Sequence, residues 1–149
     1  MMILSTSAKA ADIIGEWQLV SAELTIGDNS FPTFDPQTHE MIKVITDSHF
    51  MFLSKGPQRP RFSSYQPTHA EKVTAFDNFG GGGGTYSLEG HNYTEHVKYS
   101  IFPNYEGMSL SFKVTITEDQ LVQEGHYPIV KLGLGSRDGY VKEVYRRIR

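Results

Sequence analysis

The stretch "MSLSFKVTIT", Met108 to Thr117, alternates apolar and polar side chains without a break. A β-strand sends successive side chains to opposite faces, so this stretch has one wet face and one that must be covered. Leu110, Phe112, Val114 and Ile116 form the apolar set. Similar runs recur along the chain: "EWQLVSAEL", "MIKVIT", "HFMFLS", "TYSLEG", "HNYTEHVKYSIF", "QLVQEGHY" and "YVKEVYRRIR". Turn-forming residues separate them, among them Asp47-Ser48, Glu89-Gly90-His91-Asn92, Glu118-Asp119 and Arg137-Asp138-Gly139. "FPTFDPQTHE" and "KGPQRPRFSSYQP" are too rich in proline for central strands and read as loops.

One segment has the other period. Thr68 and Glu71 are spaced as a capping box, and Val73, Phe76 and Phe79 follow at helical spacing. The pattern predicts an all-β, antiparallel fold of about eight strands with one short helix, a sandwich or a closed up-and-down β-barrel, and for a monomer the barrel is favoured. Closing the sheet removes its exposed edges. The 149 residues suit one domain, 1–149, with 1–12 as a flexible N-terminal segment.

The net charge of −3 gives no electrostatic case for nucleic acid or an anionic membrane. No apolar run approaches the ~20 residues of a membrane span. The absence of cysteine removes disulfides, thiolate nucleophiles and Cys-ligated metals. Ala8-Lys9-Ala10 looks like a cleavage site, but no basic region and no long apolar run precede it. The expectation is a cytoplasmic protein, or an exported one whose signal lies outside this sequence.

Five glycines, Gly80 to Gly84, invite a phosphate-binding reading. Such a loop needs a helix after the glycines, and usually Lys and Ser/Thr beside them. Here the helical pattern comes first and no Gly-Lys-Ser/Thr follows. The expected role is a left-handed C-cap for the helix, then a flexible lead into a strand.

Gly15-x-Trp17, the sequential strands and the terminal "EVYRRIR" resemble the calycins, that is, lipocalins and fatty-acid-binding proteins. Gly84-Thr85-Tyr86, His96, the Pro103 to Gly107 turn and Leu121 to Gly125 are similar to bacterial lipocalin-like domains. The resemblance runs from Gly15 to Arg147 and implies a lipocalin-like barrel around a ligand. It also implies that Trp17 plugs one barrel end beside a late arginine, Arg146 or Arg147. Fatty-acid-binding proteins end on Arg-x-Tyr, whose arginine holds a carboxylate. Glu143-Val144-Tyr145 stands in that place and would repel one.

Alternation sorts the candidate lining. In "NYTEHVKYS" the more apolar face carries Tyr93, Glu95, Val97 and Tyr99, and is placed inside. A slip of one residue would exchange Glu95 for His96. Glu143, Tyr145 and Arg147 share a face of the last strand, and His49 shares one with Met51. The expected ligand contacts are Met51, Tyr93, Glu95, Tyr99, Phe112, Glu143 and Tyr145. Glu95, Glu143 and His49 are the acid–base candidates. Glu95 has a structural alternative: pairing with Arg147 or hydrogen-bonding tyrosines inside the barrel.

No metal site, cofactor or nucleophile motif is expected. The first functional reading is a binding protein, monomer or homodimer, for a small apolar or aromatic molecule. The alternatives are a barrel enzyme of isomerase, cyclase or hydratase type, or a filled barrel with a structural or interaction role.

Overall fold

Each turn in the computed structural model joins two alternating runs into an antiparallel pair. The structure describes residues 10–148. Among these, nine strands follow in chain order: β1 (Gly15–Ile26), β2 (Asn29–Pro32), β3 (Glu40–Ile45), β4 (His49–Lys55), β5 (Phe79–Glu89), β6 (Asn92–Ser100), β7 (Ser109–Ile116), β8 (Gln120–Tyr127) and β9 (Gly139–Arg147). Gly90 takes φ 61° in the two-residue turn between β5 and β6, where a side chain would be strained.

Pairing of β1 with β9, from Trp17↔Arg147 to Thr25↔Tyr140, closes the sheet. The ring has eight strands, β1 and β3 to β9, because β2 pairs only with β1. Sequence reasoning read the second half of β2, Phe31 and Pro32, as the start of a loop. Its origin is the length of β1: Gly15 to Gln18 pair with β3, and beyond that point β1 has a free edge. Asn29–Pro32 folds back on Glu23 to Ile26 and satisfies that edge.

The helix falls where its capping box predicts. It is α2 (His69–Asp77); α1 is a single turn at Ala10–Ile13. The Thr68 hydroxyl accepts from the Glu71 N–H at 3.2 Å, and the Glu71 carboxylate accepts from the Thr68 N–H at 3.2 Å. The helix stops at Asn78, and all five glycines lie inside β5 with no positive φ. They are neither a left-handed cap nor a flexible lead.

Residues 1–9 lie outside the described residues, and with them most of the segment expected to be flexible and of the candidate cleavage site. Among the described residues, no helix is long and apolar enough to cross a membrane.

The barrel is packed solid at one end. Ile13, Trp17, Ile45, Phe50, Tyr93, Val114, Leu121 and Tyr145 are fully buried there. Trp17 plugs that end, its indole N–H donating to the Ile13 carbonyl at 2.9 Å. The Arg147 guanidinium lies 4.1 Å from the indole centre. It donates to the carbonyls of Asp12, Ile14 and Glu118, so the segment before β1, the barrel wall and the turn between β7 and β8 are tied together. Arg147 is therefore occupied at the plug.

Candidate functional site

The packed half of the barrel ends at a polar layer. Lys43 on β3 points inward because it shares a strand face with Met41 and Ile45. Its buried Nζ forms an ion pair with Glu95 Oε1 and donates to Gln123 Oε1 at 2.8 Å. The Tyr93 hydroxyl donates to the same Glu95 oxygen at 3.0 Å. The rings of Phe50, Tyr93 and Tyr145 surround the ammonium, their centres 5.3–5.6 Å away. The cation that Glu95 needs for burial is thus Lys43, and Arg147 takes no part.

Above this layer the barrel is hollow. A cavity of about 280 Å³ runs from Lys43, Glu95, Gln123, Glu143 and Tyr145 to the open end. Phe50, Phe52, Val97, Leu110 and Phe112 form its apolar walls, with Phe79, Phe102 and Tyr105 toward the mouth. Helix α2 sets Phe76 6.0 Å from the Phe102 ring at that end. A second space of about 350 Å³ adjoins it, lined by Leu19, Leu24, Phe34, His39 and Val141. Met41, Tyr127 and Glu143 line both spaces.

The glycine run makes one wall of the cavity. Register pairs Gly80, Gly82 and Gly84 with the inward residues Ser54, Phe52 and Phe50. A Cβ on Gly82 would lie 2.9 Å from both the Phe52 ring and the Tyr99 carbonyl oxygen, and one on Gly84 would collide with the His96 carbonyl. The missing side chains let β4 and β6 close on β5 and let the Phe52 ring lie against bare backbone.

Glu143 accepts a hydrogen bond from the Tyr145 hydroxyl through Oε2. Burial holds its carboxyl above the ordinary range; Lys43 and the Tyr145 hydroxyl oppose that rise, and Glu95 adds to it. Burial likewise pushes the Tyr93, Tyr127 and Tyr145 hydroxyls up, and neighbouring carboxylates push the same way. The Tyr105 and Tyr127 hydroxyls bond each other beneath the mouth.

Five of the seven expected contacts meet around this cavity. Glu95, Phe112, Glu143 and Tyr145 line it, and Tyr93 supports Glu95 from the packed layer below. The other two face outward. Tyr99 is 62% exposed because a bulge interrupts β6: Gly84 pairs with Val97 but Gly83 with Tyr99, leaving Lys98 as an extra residue. Alternation is reversed from there, and Ser100 takes the inward position.

Met51 is 50% exposed because Phe50 and Phe52, not their neighbours, point into the barrel. His49 shares the Met51 face, as alternation requires, and that face is the outer one. It hydrogen-bonds Ser48 Oγ at 2.7 Å on the outside of the barrel, so it is no acid–base candidate for the interior. His96 also faces out, against Ser109, which settles the register around Glu95.

Sequence reasoning missed Lys43 and Gln123. "MIKVIT" is apolar on both faces, so alternation does not orient it. The available signal was charge: two carboxylates assigned to the interior require an inward cation. Gln123 follows Leu121 by two residues and shares its face. Among the described residues, no group of three or more His, Cys, Asp or Glu side chains is arranged to hold a metal ion.

Comparison with known proteins places this architecture. Residues 14–145 match the lipocalin-like domain family. A lipocalin-like protein from Bacteroides uniformis has a similar fold at 16% identity and a TM-score of 0.50, covering 92% of this chain and 99% of its own. A protein from Bacteroides eggerthii described as uncharacterized overlaps at 14% identity and a TM-score of 0.46, covering 90% of this chain and 98% of its own. No curated protein matches at a significant level. With a family match over most of its length and a closed antiparallel barrel, this chain belongs to the lipocalin-like domain family.

Proposed function

We propose that the protein binds one small, mainly apolar molecule in the hollow half of its barrel. The observation that carries this reading is the cavity of about 280 Å³ with aromatic and aliphatic walls and a few polar groups on its floor. That is the composition of a small-molecule site, and the volume lies just below the ~300–1,000 Å³ typical of ligand pockets. A barrel meant only to be stable gains nothing from the empty space, since each unfilled methylene costs about 1 kcal/mol. The plug at Trp17 closes one end, so the ligand reaches the cavity from the end where Phe79, Phe102 and Tyr105 stand.

Displacement of an apolar fluorescent dye tests the reading. The dye is expected to bind the native protein and to be displaced by small aromatic compounds. Val97→Phe puts a ring into the cavity and is expected to weaken the dye about tenfold or more with little change in thermal stability. Equal dye binding by both proteins would place the ligand elsewhere.

One observation favours a second reading, a barrel enzyme. Glu95 and Glu143 line the same cavity, and the Glu143 carboxyl is held above the ordinary range, toward the values useful for general acid catalysis. In a carrier, Glu143→Gln changes affinity alone. In an enzyme it abolishes turnover while binding survives.

A further inference from the structure

The charged groups facing the cavity do not balance. From β3 comes Lys43, from β6 Glu95, and from β9 Glu143. β4 contributes Phe50 and Phe52, β5 glycine backbone, β7 Leu110 and Phe112, and β8 Gln123 and Tyr127. His39, exposed and bonded to the Thr38 hydroxyl, lines the adjoining space together with Glu143. Lys43 is already bound to Glu95 and Gln123 and enclosed by three rings. Among the described residues it is the one Lys or Arg lining the cavity, so they offer an anionic ligand no free cation there.

The carboxyl groups are differently placed. Glu143 Oε2 accepts from Tyr145, and Glu95 Oε1 accepts from Lys43 and Tyr93. Among the described residues, Glu143 Oε1 and Glu95 Oε2 have no hydrogen-bond partner, yet neither is sealed off in the packed interior. Both residues line the cavity, so these oxygens open into it. The floor therefore offers acceptors on two carboxyls and one carboxyl in excess over cations, beneath walls that suit an aromatic or aliphatic body.

We infer that the ligand class is the small amphiphilic cation: an apolar body carrying a protonated amine, whose N–H groups meet Glu143 Oε1 and Glu95 Oε2. This rests on the binding reading above and specifies its polar end. Charge-assisted hydrogen bonds to two carboxylates offset the loss of water around the ammonium. A carboxylate head would add a third negative group beside Glu95 and Glu143, with only the already paired Lys43 to offset it. The elevated Glu143 carboxyl adds a consequence: the cation favours its ionised form, so binding near the top of the carboxyl range expels a proton to solvent.

Three probes with one body test the inference: phenethylamine, phenethyl alcohol and hydrocinnamate, titrated calorimetrically into the intact protein. The amine is expected to bind about tenfold or more tighter than the carboxylate. Glu143→Gln is expected to remove most of that preference, weakening the amine far more than the alcohol. Titration of native protein in buffers of different ionisation enthalpy supplies a readout that needs no variant: proton release with the amine and none with the alcohol.

Carboxylate binding as tight as amine binding, or an amine preference untouched by Glu143→Gln, would overturn the inference while leaving the binding reading intact. Failure of all three probes together with the apolar dye would overturn both.

Discussion

Replacing Lys43 with methionine strands the Glu95 carboxylate in the barrel interior. Breaking a buried pair from one side costs about 3–5 kcal/mol, whereas exchanging both partners for apolar residues is often near neutral. Lys43→Met is expected to lose that much in urea unfolding, and Lys43→Met with Glu95→Leu to recover most of it. A single variant as stable as the parent would remove the ion pair from the account.

Glu143 gives a pH signature. Its carboxyl sits above the ordinary value in the folded state, so the folded protein holds that proton more tightly than the unfolded chain does. Its stabilising contribution is full below the unfolded value near 4.5 and is lost as pH rises through the folded value. Glu143→Gln should flatten that decline in a series of thermal melts across the acid-to-neutral range. At this scale the sequence was informative where one strand face is clearly apolar, as for Glu95 and Phe112. It was silent on Lys43, because both faces of "MIKVIT" are apolar and only a charge count could orient it.

Single elements decide which expectations survive. β6 keeps its period from Tyr93 to Val97, and the inward residues there follow the alternation of the sequence. The bulge at Lys98 then reverses it, and Tyr99 turns out. A bulge depends on how a neighbouring strand pairs, so no pattern within "NYTEHVKYS" announces it. β4 shows another limit: "HFMFLS" is apolar on both sides, and packing against the glycines selected Phe50 and Phe52 over Met51.

The glycine run was read as a break in structure because glycine is usually unfavourable in strands. It is a strand whose inward glycines make room. Gly84→Ala is expected to cost about 3 kcal/mol, since its Cβ would meet the fixed His96 carbonyl. Gly81→Ala faces outward, where its Cβ meets the movable end of Leu53, and is expected to stay within about 0.5 kcal/mol of the parent. Denaturant unfolding of the two variants compares them; equal losses would show that the run is not shaped by the inner contacts.

At the scale of the whole molecule, the barrel divides into a packed half, a polar layer and a hollow half. Its closure was legible from repeated alternation and sequential turns, which leave an antiparallel sheet few other ways to hide its edges. The flap β2 was not legible, because it exists to cover an edge that appears only once β1 outruns β3. The hollowness was not legible either: alternation names the residues that face inward and says nothing about whether they fill the space.

That hollow half is the central claim. Native mass spectrometry of the protein purified from its own host tests it most directly. The account predicts one small organic molecule bound per barrel, lost in Val97→Phe. A bare chain mass, unchanged after incubation with small apolar amines, alcohols and acids alike, would contradict it.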